Sequence, residues 1–211
     1  MKTKHLFLLA FTFLSITTTW SQIIEITPTY GYQFGSKLNY GANNYIKAED
    51  GGQFGITLGV EADDDIMVEL AYIHQSSELR IRDMFISPTE ERLTDLYADW
   101  VMIGINKYYG DDMVKPFFGG GLGVVFLSND NVNYDIVNYN IHNNSKFAFS
   151  FKGGVNIMFS EVVGLNIQGG MMVPVTWGGV YVGSGGSGMS ISGTTVIGYV
   201  SGGLVFRFGE Y

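Results

Sequence analysis

The sequence contains no cysteine, only four prolines and few charged residues. Without cysteine, a disulfide framework, a thiol nucleophile and a cysteine-ligated zinc site are all excluded. Only 15% of the 211 residues are charged, whereas 46% are hydrophobic and 15% are aromatic. Such a chain is too apolar to remain disordered, and its length predicts one domain, or two small ones at most. After position 22, no apolar run is long enough for a membrane-spanning helix.

The charged and polar residues do not form the patches and motifs that several classes of function require, and those classes are therefore excluded. Acids outnumber bases by 20 to 12, so the net charge of −8 opposes nucleic-acid binding. The three histidines are scattered, and Asp63–Asp65 lacks the spacing of a calcium loop, which favours a solvated turn. No nucleophile elbow or catalytic carboxylate pair is present. We therefore expect no enzymatic activity, no cofactor and no metal.

The first 21 residues have the features of a secretory signal peptide. Lys2 and Lys4 precede the apolar stretch Leu6–Ile16, and small residues then form a cleavage site. A buried core helix is the alternative interpretation. We expect residues 1–21 to be removed on export, leaving residues 22–211 as one domain.

The rest of the chain alternates between apolar and polar residues in eight segments. In the sixth, Phe147, Phe149 and Phe151 alternate with Ala148, Ser150 and Lys152. This period of two predicts β-strands. The predicted short connections are Ala62–Asp65, Gly110–Lys115 and Ser160–Glu161, and the long ones are Ser36–Gly52, Asp83–Leu93, Asn129–Ser145 and Thr176–Gly193.

An even number of strands, joined alternately by short turns and by long loops, is typical of an outer-membrane barrel. We predict an all-β fold: an eight-stranded antiparallel up-and-down transmembrane β-barrel with short periplasmic turns and long extracellular loops. A soluble barrel with its apolar face inside is the alternative, but a narrow lumen would then have to hold many Phe and Tyr rings. It would also place Lys152 against hydrocarbon, at a cost of about 2–4 kcal/mol. The apolar face is therefore expected to meet lipid.

Aromatic residues gather near both ends of the predicted strands, as in the interfacial belts of membrane proteins. Strand propensity alone also favours Tyr and Phe. The residues assigned to the lipid interface are Tyr32, Phe34, Phe54, Phe126, Phe147, Phe149, Phe159, Phe206 and Phe208.

Four charged residues are predicted to point into the lumen: Glu25, Glu69, Lys152 and Arg207. Buried charges must be paired, so we expect a charge cluster there. Glu25 and Arg207 are expected to be neighbours because the first and last strands close the barrel. The cluster is either a structural plug or a gate across a narrow pore, and Trp100 would help to block such a pore.

Three motifs resemble small outer-membrane β-barrel proteins of the OmpA, OmpX, OmpW and PorT-like kind. They are the strand Pro116–Gly123, the run Ile103–Tyr109 ending in Lys-Tyr-Tyr, and the alternating terminal strand Leu204–Phe208. The resemblance implies an outer-membrane location, contact with outer-membrane lipid and insertion by the barrel-assembly machinery. We expect no peptidoglycan-binding domain after the barrel, so the resemblance does not imply a wall-anchoring role.

Two functions remain open at this point, together with a weaker third. The first is a structural or surface-interaction protein, expected to be monomeric, with a lumen filled by polar side chains and loops that meet an extracellular partner. The second is a narrow channel or transporter for small solutes, as the OmpW-like resemblance implies. The third is a PorT-like accessory role in protein secretion.

Overall fold

A computed structural model of the chain describes residues 23–41, 43–85, 87–110, 113–134, 136, 143–175, 181–183, 186–188 and 196–209. The predicted signal peptide therefore lies outside the described residues. Within the described residues, no helix is long and apolar enough to cross a membrane. The strands are β1 (Ile24–Gln33), β2 (Ser36–Gly41), β3 (Asn44–Ala48), β4 (Gly51–Asp63), β5 (Ile66–Asp83), β6 (Ser87–Tyr108), β7 (Val114–Asp130), β8 (Asn144–Met158), β9 (Val163–Pro174), β10 (Tyr181–Gly183), β11 (Gly186–Gly188) and β12 (Ile197–Phe208).

Eight of these strands form a closed antiparallel ring in the order β1-β4-β5-β6-β7-β8-β9-β12. The ring closes between the two ends of the chain, where Glu25 of β1 lies opposite Arg207 of β12. Turns such as Asp64–Asp65 join the strands at one end, called here the short-turn end. The opposite end, where β1 ends at Gln33, is called the long-loop end. The predicted eight-stranded up-and-down barrel is confirmed.

Side chains alternate between the two faces of the wall, as the period of two requires. Leu70, Ile103 and Ile105 are exposed on the outer face. Trp100 and Val125 are fully buried inside. The apolar face therefore surrounds the barrel, and the interior holds the smaller and more polar face together with a few large side chains.

Two pairs of adjacent glycines show how tightly the interior is packed. A Cβ added at inward-facing Gly154 would overlap the carbonyl oxygen of Ile167, and one at Gly170 would overlap that of Phe151. At outward-facing Gly153 and Gly169, the nearest atoms would lie 3.5 and 3.3 Å away. The inward positions lack room for a side chain, whereas Gly153 has an ordinary contact distance and Gly169 a slightly tight one.

The prediction of a loop over 83–93 is wrong. Strand β5 continues to Asp83 and β6 begins at Ser87, so the two strands contain 18 and 22 residues. A membrane crossing needs only about 9–11 strand residues. The segment predicted as the first long loop, Ser36–Gly52, also contains strands β2 and β3, and β3 pairs with the end of β5. Strands β2 and β3, the end of β5 and the start of β6 together form what we call the outer sheet.

The outer sheet has its own small hydrophobic core. Ile81 and Leu93 are buried there, and the partly buried side chains of Ile46, Leu79 and Val132 pack against them. The backbone N–H of Asn133 donates to the carbonyl oxygen of Leu93 at 2.8 Å, which holds the segment after β7 against the sheet. The outer sheet is thus packed as an ordered extension of the barrel wall.

Candidate functional site

The lumen near the short-turn end is filled by a hydrogen-bonded network. Both Nε and Nη2 of Arg207 lie 2.8 Å from Oε1 of Glu25. The hydroxyl of Tyr108, which reaches from the opposite side of the ring, donates to Oε2 of Glu25 at 2.7 Å. Asn156 donates to the Tyr108 hydroxyl at 3.2 Å, and Asn166 donates to Asn156 at 2.6 Å. We call these five residues the inner network.

A second ionic contact crosses the lumen next to the inner network. The Nζ of Lys152, on β8, lies 2.5 Å from Oε2 of Glu69, on β5. The amide of Asn106 donates to the other carboxylate oxygen of Glu69. Because β5 and β8 lie three strands apart in a ring of eight, this cross-lumen pair spans most of the interior.

The structure thus brings Glu25 to Arg207 and Glu69 to Lys152, the four residues assigned to the lumen from the sequence. It adds Tyr108, which the sequence analysis did not assign to the cluster. A signal was available, because Tyr108 has the same strand parity as the inward residues Asn106 and Trp100. Paired in this way, all four charges satisfy the requirement for buried ions.

The other half of the lumen is closed by apolar side chains. This apolar plug consists of Ala98, Trp100, Met102, Val125, Ala148, Met172 and Tyr199. Between the plug and the cross-lumen pair there is a cavity of about 30 Å³, lined by Thr29, Gln53 and Tyr199 among others. A cavity of that size holds about one water molecule. Ionic contacts on one side and the plug on the other leave no wide path through the described lumen.

A larger cavity lies on the other side of the plug, towards the outer sheet. We call it the vestibule; its volume is about 230 Å³. Trp100 and Val125 of the plug line it, and so do Ile46 of β3 and Leu79 of β5. The hairpin formed by β2 and β3 thus provides one of its walls.

The outward face of the outer sheet carries ion pairs. The guanidinium group of Arg80 lies 3.1 Å from Glu78, 3.5 Å from Glu49 and 3.8 Å from Glu90. Lys47 contacts Glu49 at 2.8 Å. Since these side chains are only partly buried, each contact contributes little to stability alone. Because these bases and acids are paired with one another, they do not form a patch of a single charge on this face.

Two carboxyl groups hold loop segments at the long-loop end. The amide of Asn131 and then the guanidinium of Arg92 lower the pKa of Asp95 against the effect of desolvation. The hydroxyl of Tyr32 and the backbone N–H of Gly35 lower the pKa of Asp50. In both cases the charged carboxylate is stabilised by the same contacts that link a loop segment to the barrel wall.

The aromatic residues assigned to the lipid interface lie on the outer wall. Phe206 is half-buried and the other eight are exposed. At the long-loop end they adjoin a polar contact that the sequence analysis did not identify. Asp99 accepts a hydrogen bond from the hydroxyl of Tyr72 at 2.6 Å, and Nδ1 of His74 lies 2.7 Å from the same oxygen. The ring of Phe54 lies 5.1 Å from that of His74.

Other residues considered from the sequence are not brought together. Asp63, Asp64 and Asp65 are exposed at a turn. Among the described residues, no three His, Asp or Glu side chains form a possible metal site. His142 and most of the predicted loop Thr176–Gly193 lie outside the described residues.

Comparison with known proteins identifies the fold. No family model and no curated protein matches the sequence. Among solved structures, OprG from Pseudomonas aeruginosa matches with a TM-score of 0.63 at 12% identity, over 90% of this chain and 96% of that one. Neisserial surface protein A matches with a TM-score of 0.58 at 13% identity, over 90% and 98%. Ail of Yersinia pestis matches with a TM-score of 0.53 at 11% identity, over 89% and 99%.

At these identities the likeness establishes the fold and nothing finer. It agrees with the resemblance seen in the three strand motifs and with the exposed apolar side chains around the barrel. The chain has the fold, and the apolar belt, of the small integral β-barrel proteins of the bacterial outer membrane.

Proposed function

We propose that this protein is a non-conducting outer-membrane barrel that presents its outer sheet to macromolecules outside the cell, without catalytic activity. The observation that carries the proposal is the continuation of β5 and β6 far beyond the length of a membrane crossing, with β2 and β3 added at their side. A barrel that served only to span the membrane would not need this extension.

The outer sheet offers a backbone edge for recognition. Strand β2 pairs with β3 on one side, and no other described strand pairs with its second side. An unpaired edge can accept an extended peptide by adding a strand, so that main-chain hydrogen bonds supply affinity. We therefore propose an extended segment of an extracellular protein as the partner.

A polyanion is a less suitable partner for this surface. Ail, one of the similar structures, was solved in complex with the heparin analogue sucrose octasulfate. In the present chain, Arg80, Lys47 and Arg92 of the outer sheet all contact carboxylates. The chain also has a net charge of −8, which repels anions.

Peptide binding at β2 is the first test. We expect extended peptides selected on the refolded protein from a random phage-displayed library to protect the backbone amides of β2 from hydrogen exchange. Amides of the turn Asp64–Asp65, at the opposite end, serve as the control and should exchange unchanged. A Lys37→Gln variant should retain binding, because the backbone and not this side chain is recognised. Protection that maps away from β2, or its loss in Lys37→Gln, would contradict the proposal.

The second test is electrical. We expect the refolded protein to produce no single-channel steps in planar bilayers, because the inner network, the cross-lumen pair and the apolar plug all block the lumen. Insertion is checked in the same samples by protease protection of the barrel strands. Steady steps from correctly inserted protein would favour the channel function instead.

A further inference from the structure

A carboxylate lies at the outer edge of the apolar wall. On β6 the outward side chains of Val101, Ile103 and Ile105 are apolar and exposed. They lie between Lys107, near the short-turn end, and Asp99, towards the long-loop end. Eight residues span about 26 Å along a strand, which strand tilt reduces to about 20 Å across the membrane, close to the height of a barrel's apolar band. Since the long loops of such barrels lie outside the cell, Asp99 lies at the level of the outer lipid headgroups.

The described contacts of Asp99 use only one of its two carboxylate oxygens. The hydroxyl of Tyr72 donates to Oδ1 at 2.6 Å, and Nδ1 of His74 lies 2.7 Å from the same atom. No described residue donates to Oδ2, and no described Lys or Arg forms an ion pair with this carboxylate. Oδ2 is not buried, and the side chain is 32% exposed. It is therefore an open acceptor at the surface of the wall.

Aromatic rings flank this carboxylate. The ring of His74 lies 5.1 Å from that of Phe54 and 6.1 Å from that of Tyr97. The rings of Phe54 and Tyr72 lie 6.5 Å apart. Phe126, which is exposed, lies directly opposite Asp99 on β7. The faces of aromatic rings attract ammonium groups, so the rings and the carboxylate favour the same kind of ligand.

The surroundings of Asp99 favour an organic cation over a metal ion. Ca²⁺ and Mg²⁺ bind oxygen ligands, six or more in all, whereas the neighbours of Asp99 are mainly rings. Among the described residues, no three His, Asp or Glu side chains could hold a metal. A primary ammonium group needs fewer acceptors, and its hydrogen bond to a carboxylate is strengthened by charge. A carboxylate at the level of lipid phosphates is also repelled by them, and a cation between the two removes that repulsion.

We propose that Asp99 and the rings of Phe54, His74 and Tyr97 bind the primary ammonium group of an outer-leaflet lipid, which donates a hydrogen bond to Oδ2. The site continues directly into the exposed apolar wall at Val101, so the acyl chains of the same lipid lie against that wall. This continuity favours a lipid over a soluble amine. The site is separate from the edge of β2 and does not depend on the proposed function.

Three phospholipids with the same short acyl chains test this inference. Dihexanoyl phosphatidylethanolamine carries a primary ammonium group, dihexanoyl phosphatidylcholine a methylated nitrogen without an N–H, and dihexanoyl phosphatidylglycerol no nitrogen. Each is titrated into the refolded protein in maltoside micelles and followed by NMR of the Phe54 and Tyr97 ring resonances. We expect saturable binding of the ethanolamine lipid, binding of the choline lipid weaker by about tenfold because it cannot donate to Oδ2, and no saturable binding of the glycerol lipid.

Variants separate the carboxylate from the rings. Asp99→Asn keeps the shape of the side chain but removes its charge, so affinity for the ethanolamine lipid should fall about tenfold, the lower limit for a hydrogen bond to a charged group. Asp95→Asn on the same strand is the matched control and should bind normally, because Arg92 and Asn131 already contact that carboxylate at 2.5 and 2.7 Å. Phe54→Leu removes one ring and should weaken binding about threefold. All variants are first checked for folding by their heat-dependent mobility on gels.

Two further samples distinguish the lipid from other sources of positive charge. Free ethanolamine should bind at least about tenfold more weakly than the lipid, since burying even two CH₂ groups contributes that much. Addition of EDTA should leave binding of the ethanolamine lipid unchanged. Equal affinity of free ethanolamine would show a site for soluble amines, and loss of binding in EDTA would show a metal bridge; either result contradicts the proposal.

Equal binding of the three phospholipids, or unchanged affinity in Asp99→Asn, would also overturn the proposal. If Asp99→Asn does not fold, the comparison of the ethanolamine and choline lipids and the Phe54→Leu variant decide the question. None of these results bears on peptide protection at β2, so failure here and failure of the proposed function are distinguishable.

Discussion

Replacing Arg207 by alanine is expected to destabilise the barrel by about 3–5 kcal/mol, because the change leaves a buried carboxylate without its counter-ion. The side chains of Arg207 and Glu25 are 3% and 5% exposed. Once the guanidinium is removed, Tyr108 is the remaining described hydrogen-bond donor to Glu25. Urea unfolding of the refolded protein in detergent, followed by gel mobility, measures the loss.

A double variant provides the control for this prediction. Glu25→Gln combined with Arg207→Met removes both charges and retains apolar volume, so most of the lost stability should return. The change in unfolding free energy of the double variant should then differ from the sum of the two single-variant changes by more than it does for independent positions. An Arg207→Ala variant as stable as the unaltered protein would show that the pair contributes nothing to the fold.

Replacing inward-facing Gly154 or Gly170 by alanine is expected to cost about 3 kcal/mol each, at the upper end of the range for overpacking. At both positions the added Cβ would overlap a backbone carbonyl oxygen of the neighbouring strand. Gly154 would also bring it within 2.8 Å of the ring of Phe117 and of the Cβ of Gln168. Backbone atoms in a closed ring cannot move aside without disturbing strand pairing.

The adjacent residues supply matched controls for this second prediction. Gly153→Ala changes β8 on its outer face, where the nearest atom lies 3.5 Å from the new Cβ. Gly169→Ala changes β9 on its outer face, where the carbonyl oxygen of Tyr199 lies 3.3 Å away, so its cost should be intermediate. The stability of Gly153→Ala should change by no more than about 0.5 kcal/mol. The same urea unfolding assay applies to all four variants. If inward and outward substitutions cost the same, the packing described for the interior would be wrong.

The sequence predicts the barrel because apolar and polar residues alternate strictly along the strands. The two faces of the barrel wall meet different surroundings, lipid on the outside and the lumen on the inside. Lys152 and Phe151 are neighbours in the chain, yet one faces the lumen and the other faces outward. A shift of one residue would exchange all such pairs, so the faces are strongly determined. The same parity places Glu25 and Arg207 inside, and closure of the ring makes them partners.

The outer sheet was not predicted because its strands lack that alternation. Residues Ser87–Thr94 are mostly polar on both faces, which is typical of a loop. They are strand because they pair with β5, which in turn pairs with β3. Pairing between distant segments is not visible in local periodicity. The partners of Tyr108 were missed for the same reason, since its hydroxyl contacts Glu25, 83 residues away in the chain.

The seam between β1 and β12 has a consequence for biogenesis. Glu25 and Arg207 are 182 residues apart, so their contact forms only after both β1 and β12 have been exported. Until then the edges of β1 and β9 have no neighbour and must be shielded from pairing with other chains. Contacts of such long sequence separation also slow folding. A nascent chain stalled before β12 would therefore be a target for envelope proteases, and closure of the seam would mark the end of that vulnerable period.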